Sequence, residues 1–115
     1  MRYKTAAAAL LVALVGACAS NNPSIPNEAP YITGTITAIE PGSVRIEEVP
    51  ADSAGSAKAQ ARKSSETLVT DRSGSRLTFD SLQVGQRVSA WFTGPIMESY
   101  PVQGRARVIV VEPVN

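Results

Sequence analysis

The side chains best suited to chemistry lie in one stretch, from Trp91 to Arg107. It holds Trp91, Glu98, Tyr100, Arg105 and Arg107, with Pro95 and Pro101 between them. Strand alternation gives Trp91, Arg105 and Arg107 the same outward parity. An indole beside guanidinium groups can stack on a sugar or grip a carboxylate or phosphate. Glu98 and Tyr100 fall in the loop G-P-I-M-E-S-Y-P, where they would complete one groove. A purely structural explanation of the same loop is also available: Ile96 and Tyr100 pin it, while Glu98 and Ser99 bond its backbone. Tyr100-Pro101 is an X–Pro bond, at which the cis form is accessible.

Catalysis is not expected. Histidine is absent, which removes the usual general base and the commonest metal ligand. There is no Ser-x-x-Lys, no phosphate-cradling glycine loop and no metal-ligand constellation. The expectation is a non-enzyme with no cofactor and no metal. The chain of 115 residues carries 11 basic and 10 acidic side chains. Without Arg2 and Lys4 of the leader, 9 basic residues face 10 acidic ones. That balance lacks a basic footprint, so nucleic acid is not an expected partner.

These residues need a scaffold and a location. Arg2 and Lys4 precede an unbroken apolar run, Ala6 to Val15, which is too short to span a bilayer. Small residues follow at Gly16 and Ala17, so residues 1–17 read as a cleaved secretory leader. Val15-Gly16-Ala17-Cys18 resembles the lipobox of bacterial lipoproteins. The resemblance implies a diacylglyceryl thioether on Cys18, cleavage before it and acylation of the new amino terminus. Such chains anchor a protein firmly, at about 0.8 kcal/mol per buried CH₂. Cys18 is the only cysteine, so no internal disulfide is possible. Ala19 follows it, where an Asp would resemble an inner-membrane retention signal. The implied location is the outer membrane with the domain facing the periplasm, or otherwise the outer face of the plasma membrane. Residues 18–30 have three prolines and little to bury, and read as the lipidated Cys18 plus a flexible tether.

From Tyr31 onward the pattern has period two. Ile32, Gly34, Ile36 and Ala38 alternate with threonines, and Gly34 suggests a bend or bulge. Pro41-Gly42 is a turn, and Val44 and Ile46 begin a returning strand. Residues 50–65 contain no large apolar side chain and read as a mobile insertion. Lys58, Arg62 and Lys63 there form either a solvated loop or a basic patch for an acidic partner. A helix over 57–62 would have no apolar stripe. Short strands follow at 66–70 and 76–79, separated by a turn. Asp80 could cap one helical turn, with Leu82 and Val84 plugging the core and Gly85 permitting a reversal. Val88, Ala90 and Phe92 point inward. In the last strand Ala106, Val108 and Val110 share one face, and Arg105, Arg107, Ile109 and Val111 the other. The fold expected for 31–115 is all-β: a small five- to six-stranded OB-like barrel, with a two-sheet sandwich as the alternative.

The segments L-x-V-G-Q-x-V (Leu82 to Val88), W-F-x-G-P-I-M-E-S-Y-P-x-Q (Trp91 to Gln103) and R-A-R-V-I-V (Arg105 to Val110) resemble a family of small bacterial exported proteins and lipoproteins classed as a domain of unknown function. I-T-G-T-I-T-A-I (Ile32 to Ile39) is similar to its first strand. The resemblance implies an OB-like barrel and no established activity. The expected function is an envelope lipoprotein whose barrel binds a glycan or an anionic envelope component. The alternative is a lipid-tethered structural protein that docks another envelope protein.

Overall fold

The computed structural model describes residues 25–48 and 57–113. The leader, Cys18 and residues 50–56 of the expected insertion lie outside the described residues. Alternating β-branched residues build β1 (Ile32–Glu40) and β2 (Ser43–Glu48). They are joined through Gly42, whose φ of 76° lies in the left-handed region that favours glycine. β3 (Lys58–Arg62), β4 (Leu68–Asp71) and the short β5 (Arg76–Leu77) follow. A single 3-10 turn, Phe79–Ser81, leads to β6 (Arg87–Met97) and β7 (Val102–Val111).

Five strands close into a barrel in the order β1-β2-β3-β7-β6 and back to β1. Each closing pair is antiparallel except β3 with β7, which run parallel. This is the connectivity of an OB-type barrel, the fold expected from the sequence. The β4–β5 hairpin is an addition laid beside β7. One edge of β7 thus serves two neighbours: Val102–Arg105 pairs with β3, and Val108–Val111 with β4. At the changeover the Thr67 hydroxyl donates to the Ala106 carbonyl at 2.7 Å.

Ile36, Val44, Ile46, Val88 and Ile109 are fully buried, together with Ala59, Ala61, Ala90 and Ala106. Large and small side chains share the interior, as a narrow barrel requires. Phe79 and Leu82 plug one end. Asp80 is not the cap of the 3-10 turn: Thr78 holds that position without a side-chain hydrogen bond. Val84 does not plug the core either, being 62% exposed.

Four further features differ from the sequence reading. Residues 58–62 are neither loop nor helix but the strand that closes the barrel. Gly34 marks no bulge; that irregularity lies between Ile36 and Ala38. The bulge in β7 falls between Ala106 and Val108, leaving Arg107 without a partner on β6. It flips the parity of everything after it. Ile109 therefore joins Ala106 in the barrel, with Val111 packed against that core, while Val108 and Val110 turn outward. Finally, the described end of the tether is docked. Ile25 packs on Trp91, Val108 and Val110, and the Glu28 carbonyl accepts a hydrogen bond from Trp91 Nε1 at 2.9 Å.

Gly34 is required by crowding. A Cβ there would stand 2.2 Å from the Glu47 carbonyl oxygen. Gly34→Ala should destabilise the domain by about 3 kcal/mol, in the upper range for overpacking against a backbone that cannot step aside. Urea unfolding measures this, and a loss within a few tenths of a kcal/mol would contradict the close approach.

Candidate functional site: a basic cleft on the barrel wall

The outer wall of β2, β3 and β7 carries the polar side chains left by the inward alanines. Register sets them in rows: Arg45, Gln60 and Gln103 in one, Ser43, Arg62 and Arg105 in the next. Glu47 and Lys58 form a third. Most of these groups are occupied. Gln60 Nε2 donates to Ser43 Oγ at 2.9 Å, and Arg45 Nε reaches Gln60 Oε1 at 3.4 Å. Lys58 Nζ lies 3.9 Å from Glu47 Oε1 and 5.3 Å from the centre of the Tyr100 ring.

Arg62 and Arg105 differ. They are register partners on adjacent strands, both exposed, and neither makes an ion pair with any described residue. Like charges placed directly opposite on a sheet cost stability, roughly 0.2–1 kcal/mol. Both line a cleft of about 380 Å³ together with Gln103, Pro95, Ile96 and Met97. The apolar side of the cleft arises because β6 leaves β7 between Thr93 and Met97. Gly94, at φ 74°, starts that arch. Arg105 Nη1 lies 3.8 Å from where a Cβ on Gly94 would stand, so its guanidinium rests beside the arch.

The five residues singled out from sequence do not form one groove. Trp91 is only 4% exposed. Its parity is outward as expected, but the two valines turned outward by the bulge and the docked Ile25 cover it. Arg107 Nη2 pairs with Glu28 Oε2 at 3.0 Å on the same side. Glu98 and Tyr100 are exposed in the turn between β6 and β7, where Tyr100-Pro101 is cis and Ser99 Oγ donates to the Pro101 carbonyl at 2.7 Å. Arg105 alone lines the cleft. Its partner Arg62 was legible as part of a basic patch, but not as a neighbour of Arg105. Gln103 and Met97 carried no signal of their own. The pattern K-A-Q-A-R did: its polar residues alternate strictly with alanine, which is the period of a strand.

The fold and the cleft define a class: a closed five-stranded β-barrel with an added hairpin and a basic recess on its outer wall. Within that class, the chain belongs to the family described as "Protein of unknown function (DUF3221)", which matches residues 33–112. The match takes in β2 to β7 entire and all but the first residue of β1. No curated protein and no solved structure matches the chain.

A second depression, of about 560 Å³, lies beside Asp71, Arg72, Ser73, Val111, Glu112 and Pro113. Its polar groups are spent on one another. Arg72 grips Glu112 through both Nε and Nη2, and Ser89 Oγ donates to Glu112 Oε2 at 2.6 Å. Asp71 Oδ1 accepts from Ser73 Oγ at 2.6 Å and from the Ser73 and Ser75 amides. Burial pushes the Glu112 carboxyl up, but the bonds from Arg72 and Ser89 and the charges of Arg72 and Arg87 outweigh it and hold the group below its ordinary value. The Ser73 hydroxyl, with the Ser75 amide next, holds Asp71 low despite opposing burial.

A carboxyl whose folded value is depressed contributes stability above its unfolded value, about pH 4.3 for Glu, and loses it as pH falls through the folded value. The urea midpoint of the protein should hold from about pH 7 to 5 and drop below about 4.3. Glu112→Gln should lower the plateau and flatten part of the drop. A drop of unchanged depth in that variant would show that the Arg72–Glu112 pair does not set the acid sensitivity.

Proposed function

We propose that the protein is a bacterial envelope lipoprotein whose barrel binds an anionic envelope component, an acidic glycan being one such ligand. It works as a binding module without catalysis. The observation that carries this reading is the pair Arg62 and Arg105, adjacent, exposed and without a counter-charge among the described residues. Gln103 supplies a further hydrogen-bonding group and Pro95, Ile96 and Met97 an apolar flank. OB-type barrels bind their ligands on the face of the second and third strands, and this cleft lies beside that face. The lipid anchor rests on Val15-Gly16-Ala17-Cys18 after a short apolar leader. An anchored domain meets lipids, glycans and envelope proteins at high local concentration, so a modest recess can suffice.

Two measurements test the two halves. Cys18→Ala should move the protein from the membrane fraction to the soluble fraction, and unchanged fractionation would remove the anchor. Calorimetric titration of the mature chain in detergent should give saturable binding of an acidic oligosaccharide and none of a neutral one of equal length. The double variant Arg62→Gln, Arg105→Gln should weaken the acidic ligand by about tenfold or more. Equal responses to both sugars would defeat the anionic reading. No response to either would favour a protein-docking role, which crosslinking in intact cells would then identify.

A further inference from the structure

The chemistry of the cleft narrows the ligand class, given that the anionic reading above holds. Two guanidinium groups from neighbouring strands line one recess and share no carboxylate among the described residues. A single carboxylate brings one negative charge, and its two oxygens match the fork of one guanidinium. It would leave the second arginine uncompensated. A phosphate monoester carries close to two negative charges at neutral pH and three terminal oxygens, enough for both forks at once. The opposite side of the recess is formed by Pro95, Ile96 and Met97, of which Met97 is 59% exposed. That flank suits an apolar or carbohydrate body attached to the phosphate, and a free ion would leave it bare. We propose that the Arg62–Arg105 cleft is a phosphomonoester site, taking a phosphorylated sugar or the phosphate headgroup of a lipid.

Arg62 and Arg105 are the charged groups that line the cleft among the described residues; Arg45, Glu47 and Lys58 stand in the neighbouring rows of the same wall, and Glu98 in the turn before β7. The chain has no histidine, the side chain whose ordinary range spans pH 5 to 8. A pH dependence in that window therefore reports on the ligand, whose second ionisation falls near pH 6.

The test is calorimetric titration of the full mature chain in detergent micelles at about pH 5.0 and about pH 7.5 (about one unit below and about one and a half above that ionisation). Glucose 6-phosphate is one ligand; glucose 6-sulfate, singly charged throughout, and glucuronate are the comparisons. A further arm dopes the micelles with phosphatidic acid. The expected result is phosphate affinity about tenfold greater at the higher pH, with the sulfate flat. Arg62→Gln and Arg105→Gln should each abolish the rise. Binding of glucose 6-phosphate assigns a soluble or glycan-borne source, and binding of phosphatidic acid alone assigns a lipid headgroup. Glucuronate and sulfate binding as tightly as phosphate, without a pH effect, would overturn the phosphomonoester assignment and leave the anionic face standing. Silence from all four would overturn both.

Discussion

The parallel pairing of β3 with the first half of β7 is the contact on which the rest of the molecule depends. It joins segments some forty residues apart in sequence, Ala59 with Val102 through Arg62 with Arg105. Parallel ladders are slightly weaker per residue than antiparallel ones, and closing so long a loop carries an entropic cost. The return is a sheet with no open edge around its core. Ala59 and Ala61 become fully buried, and the same geometry turns Arg62 toward Arg105. Core closure and cleft formation are one event.

The second constraint is the bulge at Arg107. By flipping parity it gives β7 two cores to serve: Ala106 and Ile109 inside the barrel, Val108 and Val110 outside with Trp91. An apolar patch on an outer wall needs cover, and Ile25 with Glu28 provides it. The chain before β1 is thus fastened to one side of the barrel, while the basic cleft opens beside the arch at Gly94. Trp91 fluorescence accordingly reports on the docked N-terminal segment, and a ligand in the cleft need not perturb it.

Much of the barrel was legible because period-two patterning survives in β1, β2 and β6, where Ile32, Ile36, Val44, Ile46, Val88 and Ala90 all point inward as read. What escaped did so for physical reasons. The apolar face of K-A-Q-A-R is alanine alone, and a strand that turns only alanine inward looks like a loop to any scale that weighs hydrophobic bulk. The β7 bulge lies inside R-A-R-V-I-V-V, where apolar residues occupy both parities, so the sequence does not fix which set faces inward. Trp91 was given the correct side of its strand and the wrong environment, because a tertiary contact from Ile25 determines its burial. Arg105 was assigned to a groove and lines the recess beside the Gly94 arch. Its pairing with Arg62 depends on a long-range register that no local pattern encodes.

The juxtaposition of two like charges is also a cost to the fold, and it gives access to the central claim without knowledge of any ligand. The direct measurement is a double-mutant cycle on stability, with Arg62→Gln, Arg105→Gln and both together, by urea unfolding at low salt. If β3 closes on β7 in this register, each single change relieves the repulsion and stabilises the domain. The double change then gains less than the sum, with a coupling of about 0.2–1 kcal/mol that fades as salt is added. Strictly additive effects, or a coupling indifferent to salt, would mean that Arg62 and Arg105 are not neighbours and that the barrel does not close as described.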